Sequence, residues 1–241
     1  MLNRTAIAEK LAVHPEREAR AACASFPWIS RSLMLKLSTD KHSLVRQCLA
    51  RNPNAAKEML ETLLGDIAPH VRTSAHWNLN RLSEGKVATP YSSGSKIVEP
   101  YIPLGLDSTA IESIHLAHNK NLSELEVERL VDSPNEWVRA YLMFPYFSFG
   151  TELPEPDSLR INTDQLNRLA NDDSGLVRSA VARNPLVPET YLIELAKDRE
   201  FRVRSMICQN KSTPEKILEA IFQGDEWRLW AEMVSNPRLA S

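Results

Sequence analysis

The residues with the most chemical potential in this chain of 241 residues are histidines, arginines and aromatics gathered near its middle. His76, His115 and His118 are metal-ligating types, but a metal site on them would need a carboxylate or cysteine partner that the sequence does not single out. The three cysteines, Cys23, Cys48 and Cys208, are far apart and odd in number, so neither a disulfide framework nor a zinc or iron–sulfur site is expected. No P-loop, G-x-S-x-G, H-E-x-x-H or His-Glu dipeptide occurs. The chain is therefore expected to carry no cofactor and no catalytic residue. What remains is recognition chemistry. Trp77, His118 and Phe144 with Arg51 and Arg183 are the types that protein interfaces favour. The same arginines with Arg139, Trp77 and the odd acid Glu112 could instead serve a nucleic-acid surface with base-excision chemistry.

These residues sit in a repeat. Four segments align: SLVRQCLARNP from Ser43, PHVRTSAHWNL from Pro69, GLVRSAVARNP from Gly175 and FRVRSMICQNK from Phe201. Arg46 and Arg72 are 26 residues apart, as are Arg178 and Arg204, and each is followed six residues later by Asn52, Asn78, Asn184 or Asn210. The frame extends to Arg20, Ser113, Arg139 and Trp230, giving eight registers. The steps from 72 to 113 and from 139 to 178 are 41 and 39 residues, so two loops are inserted, about 83–103 and 145–158. Each unit reads as a helical hairpin. Leu192, Leu195 and Ala196, or Ile217, Leu218 and Ile221, line one face of a first helix. Ser123 with Glu126 forms a capping box, and Thr213-Pro214-Glu215 places a cap before Pro at the first helical position. A second helix of about nine residues ends at the Asn, which caps and turns the chain. Neither helix buries its stripe alone, so the expected fold is all-α: a single α-solenoid domain over 1–241 of about eight two-helix repeats.

The pattern D-x-x-x-x-V-R-x-x-V-A-R-N-P-x-x-P-E-x-x-L-x-x-L-A, best seen from Asp172 to Ala196, resembles the leucine-rich repeat variant family, a relative of HEAT-type α-solenoids. The resemblance spans nearly the whole chain outside the two loops. It implies a right-handed superhelix whose second helices carry some 3₁₀ character. Members of the family can hold an iron–sulfur cluster on an N-terminal cysteine group, which this sequence lacks.

An acid precedes most register arginines by six residues: Asp40 before Arg46, Asp66 before Arg72, Asp172 before Arg178, Asp198 before Arg204, with Asp107 before Ser113. Two readings are open, a basic stripe for anionic partners or an internal ladder in which each Asp pairs with the Arg of its own or the adjacent unit. Because an unpaired buried charge is costly, the ladder is the preferred one. Function is then sought where units depart from one another. Five residues after the register the stack reads Ser25, Arg51, Trp77, His118, Phe144, Arg183, Gln209, Ser235; two after, it is largest at His115 and Tyr141. Trp77, His118, Phe144, His115 and Tyr141 with Arg51 and Arg183 form the expected partner-binding patch. The loops add apolar anchors such as Tyr91, Tyr101, Tyr146 and Phe149. Net charge is −2, which gives no general attraction to nucleic acid. No apolar run reaches membrane-spanning length and no signal segment opens the chain, so a cytoplasmic, non-enzymatic protein-binding scaffold is expected. Trp227, Leu229, Trp230 and Met233 in the last unit suggest self-association there.

Overall fold

The computed structural model describes residues 2–83, 103, 105–117, 119, 121–143 and 159–239. Both inserted loops, and with them His118 and Phe144, lie outside the described residues. Everything described is helical or irregular. Chain contacts separate two compact units. The first holds α1 (Arg4–Ala12), α2 (Arg17–Ser25), α3 (Arg31–Ser38), α4 (Ser43–Arg51), α5 (Lys57–Leu63) and α6 (Pro69–Ser83), together with α15 (Trp227–Met233). The second holds α7 (Ser108–Ala117), α8 (Glu124–Val131), α9 (Glu136–Met143), α10 (Thr163–Ala170), α11 (Gly175–Arg183), α12 (Glu189–Leu195), α13 (Phe201–Gln209) and most of α14 (Glu215–Gln223). Among the described residues the first unit holds three hairpins, α1–α2, α3–α4 and α5–α6, and the second holds α8–α9, α10–α11 and α12–α13, with α7 standing before them. Among the described residues no helix is long and apolar enough to cross a membrane.

The second helices are α-helical throughout, and 3₁₀ geometry is confined to Pro237–Leu239 among the described residues. The 3₁₀ character implied by the family resemblance is therefore absent from them. The reason is local: these segments are rich in Ala, Leu and Arg, which propagate an α-helix once its end is held. Caps do the holding. The Ser123–Glu126 capping box forms as expected, and Asn162 with Gln165 makes another at α10. Thr213 differs from expectation. Its hydroxyl donates to the Ile207 carbonyl, 2.7 Å away, and Pro214 stands one position before α14 begins.

Each unit buries its own core. Ile7, Leu11, Leu49, Leu60 and Val71 are sealed in the first, and Ile114, Val138, Val177, Leu192 and Ile207 in the second. Burial alone cannot hold helices of seven to ten residues, because so large a share of their backbone groups lies in unsatisfied end turns. Side chains from neighbouring repeats complete them. Asn52 donates both amide protons across the joint, to the carbonyls of Ala24 and Phe26 at 2.8 and 2.9 Å. Asn78 does the same to Ala50 and Asn52, Asn210 to Ala182 and Asn184, and Asn236 to Cys208 and Asn210. The Asn oxygen meanwhile accepts the backbone N–H two residues on, as at Asn54, Leu186 and Ser212. The Asn series thus makes the expected turn, but the helix end it caps belongs to the preceding repeat.

The Asp–Arg ladder is internal, and its pairing runs forward. Arg20 grips Asp40, Arg46 grips Asp66, Arg139 grips Asp172 and Arg178 grips Asp198, each with two hydrogen bonds between 2.6 and 3.1 Å. The other guanidinium nitrogen donates to the carbonyl six residues back, as from Arg46 to Asp40 and from Arg204 to Asp198. Each aspartate also accepts the backbone N–H two residues ahead of it. Hydrogen bonds from Arg46 hold the Asp66 carboxyl below its ordinary range. At Asp40 and Asp198 burial pushes the carboxyl up, and the arginine hydrogen bonds and neighbouring charge outweigh it, so these too are lowered. Arg72 keeps its bonds to the Asp66 and Ile67 carbonyls but is exposed.

Three predictions test this frame. Leu195, 4% exposed, should cost roughly 2–5 kcal/mol of unfolding free energy when replaced by Ala, read as a shift in urea midpoint. Asp66→Ala, which strands the Arg46 guanidinium, should cost about 3–5 kcal/mol, and much less in a chain already carrying Arg46→Met. Folded-state carboxyls held low bind protons only below the unfolded value of about 3.9. The stability they supply is present above that pH and is lost as pH falls through their lowered values. Urea midpoints measured from pH 6 to pH 3 should therefore fall more steeply in the wild type than in Asp66→Ala.

Candidate functional site

Since the ladder absorbs the register charges, candidate surfaces are the places where a repeat departs from its siblings. In the first unit the departure is at the C-terminal end of α4 and the middle of α6. The position five after the register faces outward there: Ser25, Arg51 and Trp77 are all exposed. Arg51 reaches across to α6, its Nε donating to the Ser74 hydroxyl at 3.3 Å, and Trp77 follows Ser74 by three residues on the same helix. Ser74 is itself tied to the His70 carbonyl at 2.9 Å. The indole of Trp77 is 62% exposed. Beside it His76, also exposed, meets the Asn80 amide at 3.3 Å.

The rest of the expected patch divides. Tyr141 is completely buried in the second unit's core and cannot touch a partner. Its position two after the register points inward on α9, where α7 and α11 both pack. Arg183 is half-buried at the end of α11, and burial lowers its guanidinium pKa. His115 is exposed on α7, as is Glu112. Among the described residues no three His, Cys, Asp or Glu side chains converge as metal ligands would. Cys23 is sealed, its thiol pushed up to about 12 by burial.

The apolar residues of the last unit are covered rather than open. Leu229, Trp230 and Met233 are buried, and α15 packs on α1 and α2. Lys10 places its ammonium 3.9 Å from the Trp230 ring centre and donates to the Phe222 carbonyl at 2.6 Å. Trp227 Nε1 donates to Glu16 at 2.6 Å, and Arg4 Nε to the Val234 carbonyl at 2.7 Å.

A second departure lies in the second unit, at the joint between α7 and α9. Here the register arginine is Ser113, and the aspartate of the following repeat is Ser133. Ser133 keeps the turn-forming role, accepting the Asn135 N–H at 3.3 Å, but neither serine can form the ion pair. Without the arginine, α7 begins five residues before its register instead of the three seen in α4, α9 and α11. Asp107 accepts the Ala110 N–H at 2.7 Å, and its carbonyl takes the Ile111 N–H. The vacated space is an open groove of about 490 Å³. Thr109, Ser113 and Leu116 line it from α7, and Leu125, Glu128 and Arg129 from α8. The same neighbourhood lacks an Asn six after Arg139, where Pro145 stands. Arg160 fills that role, one guanidinium nitrogen bonding the Ala117 and Asn119 carbonyls, each at 3.0 Å. Sequence inspection noted Ser113 only as a variant register and missed its pairing with Ser133. The missing aspartate six before Arg139 was the available signal.

No protein-family model and no curated protein matches the chain. Among solved structures it is similar to one described as a leucine-rich repeat variant with a novel repetitive protein structural motif. That match is 19% identical, covers 95% of this chain and 80% of the other, and has a TM-score of 0.34. The likeness is to a helical repeat fold and extends no further.

Proposed function

We propose that this chain is a non-enzymatic protein-binding scaffold, with the exposed face formed by the end of α4 and the middle of α6 as a recognition surface, Trp77 as its anchor and Arg51 beside it. The observation that carries the reading is the exposure of Trp77 at a position where the sibling units of the same face place Ser25 and Arg51. The fold does not require an indole there. Tryptophan and arginine side by side are the residues that most often dominate binding energy at protein interfaces. Helical repeats suit such a role because the scaffold fixes the surface while single positions vary. A nucleic-acid surface would draw on the register arginines, and Arg20, Arg46, Arg139 and Arg178 are each bound to an aspartate instead.

Affinity capture from lysate tests this, with the wild type beside Trp77→Ala and Arg51→Ala and both protein and nucleic acid identified. Both side chains are exposed, so the variants should unfold within about 0.5 kcal/mol of the wild type. A specific protein held by the wild type should be lost by at least tenfold in Trp77→Ala. Retention of nucleic acid alone, or equal capture by all three chains, would overturn the reading.

A further inference from the structure

We propose that Arg72 is an open rung of the ladder, and that it takes an aspartate presented by the protein that Trp77 anchors. The inference rests on the protein-binding reading above and adds to it the chemistry of the partner.

The sibling forks name the occupant. Arg20 and Arg178 each anchor one guanidinium nitrogen on two backbone carbonyls, those of His14 and Pro15 and those of Asp172 and Asp173. Their Nε and Nη2 then hold an aspartate with two bonds, Asp40 in one case and Asp198 in the other. Arg72 is anchored in the same way, its Nη1 donating to the Asp66 and Ile67 carbonyls at 2.7 and 3.0 Å. Its Nε and Nη2 have no acceptor among the described residues. The filled forks of Arg20, Arg46, Arg139 and Arg178 all hold a carboxylate, the planar acceptor that a guanidinium matches with two parallel bonds. Because the anchor positions the guanidinium beforehand, little further ordering is needed on binding.

The edge around the fork is uncovered. Four residues after the register the siblings bury Ala24, Ala50, Ala182 and Cys208 completely, whereas His76 at that place is exposed. The helices α2, α4, α11 and α13 stop five residues after the register, but α6 runs on to Ser83. Arg72, Thr73, His76, Trp77 and Asn80 are all exposed, at spacings that put them on one side of α6. The fork and the indole therefore open on that side about 7.5 Å apart along the axis. At the turn that anchors the fork, Ile67 is 88% exposed, where the siblings carry Lys41, Asp173 and Arg199. Neither α4 nor α6 contains an Asp or Glu, so an incoming carboxylate meets no like charge on these helices.

The test uses the full chain and a peptide copying Leu37–Ser43, the segment whose Asp40 fills the Arg20 fork, beside the same peptide with Asn for Asp. Arginine side-chain Nε–Hε resonances are followed by NMR during titration. In the free chain the Arg72 resonance should stand apart from those of Arg20 and Arg46, and the Asp peptide should move it toward them. The Asp peptide should bind about fivefold more tightly than the Asn peptide. Arg72→Lys keeps the charge but loses the fork, and should erase that preference. An Arg72 resonance already beside that of Arg46 in the free chain would overturn the proposal, since the fork would be filled. Equal binding of the two peptides, equal shifts at Arg51 and Arg72, or a preference that survives Arg72→Lys would overturn it as well. The wild-type comparison decides the matter even if the variant fails to fold. In the lysate capture, folded Arg72→Lys should retain about fivefold less of the Trp77-dependent protein. Undiminished retention would remove the aspartate from the partner and leave the scaffold reading standing. Loss of Trp77 dependence itself would instead remove the scaffold reading, whatever the peptides do.

Discussion

The constraint on which this structure depends is the satisfaction of helix ends at each joint between repeats. A helix of eight or nine residues leaves roughly as many backbone groups unpaired at its ends as it pairs within. Many such helices make up this chain. The carbonyls four and six residues after each register are not reached from their own helix. The Asn of the next repeat reaches both with one amide group, as Asn210 does to Ala182 and Asn184. That geometry requires a planar donor with two protons, which explains why the same residue type recurs. Where Pro145 interrupts the series, the substitute at Ala117 and Asn119 is Arg160, another planar donor group, although it arrives from a different place in the sequence.

The ladder of arginine and aspartate solves the same problem at the other helix end. One guanidinium nitrogen closes the turn before its own helix, and the other two tie that turn to the next repeat. Charge is thus spent on the scaffold, which is why the most basic feature of the sequence leaves little positive surface. Recognition must come from positions on which the joints make no demand. Five residues after the register is such a position in the first unit, since Ser25, Arg51 and Trp77 occupy it with equal ease.

The periodicity was legible because hydrogen-bonding constraints repeat with the chain. Arg46 and Arg178 stand in the same local sequence for the same physical reason. The direction of pairing was not legible. Six residues separate Asp40 from Arg46, and twenty separate Arg46 from its partner Asp66, so sequence proximity favours the wrong mate within each repeat. Tyr141 failed for a related reason. Positions two and five after the register lie three apart and share a helix face in isolation, but burial depends on what packs beyond. On α9 that is α7 and α11, and Tyr141 disappears between them, whereas His115 at the equivalent place on α7 stays exposed. Trp77 was legible as a departure, because nothing in the repeat calls for an indole.

The paired serines show how such a scaffold tolerates a gap. Removing only the arginine would leave an aspartate stranded against the next turn, and removing only the aspartate would strand the cation. Either costs more than losing both. With Ser113 and Ser133 the charges vanish together, and backbone satisfaction passes to α7, which starts two residues early to occupy the Asp107 carbonyl. Ser133 retains the one role that a hydroxyl can share with a carboxylate, acceptance of the Asn135 N–H. The missing charges are thus accounted for at this joint, but their volume is not. Two hydroxymethyl groups replace an arginine and an aspartate side chain, and an open groove of about 490 Å³ lies beside them. A joint that is electrostatically closed and sterically open can persist at little cost to stability.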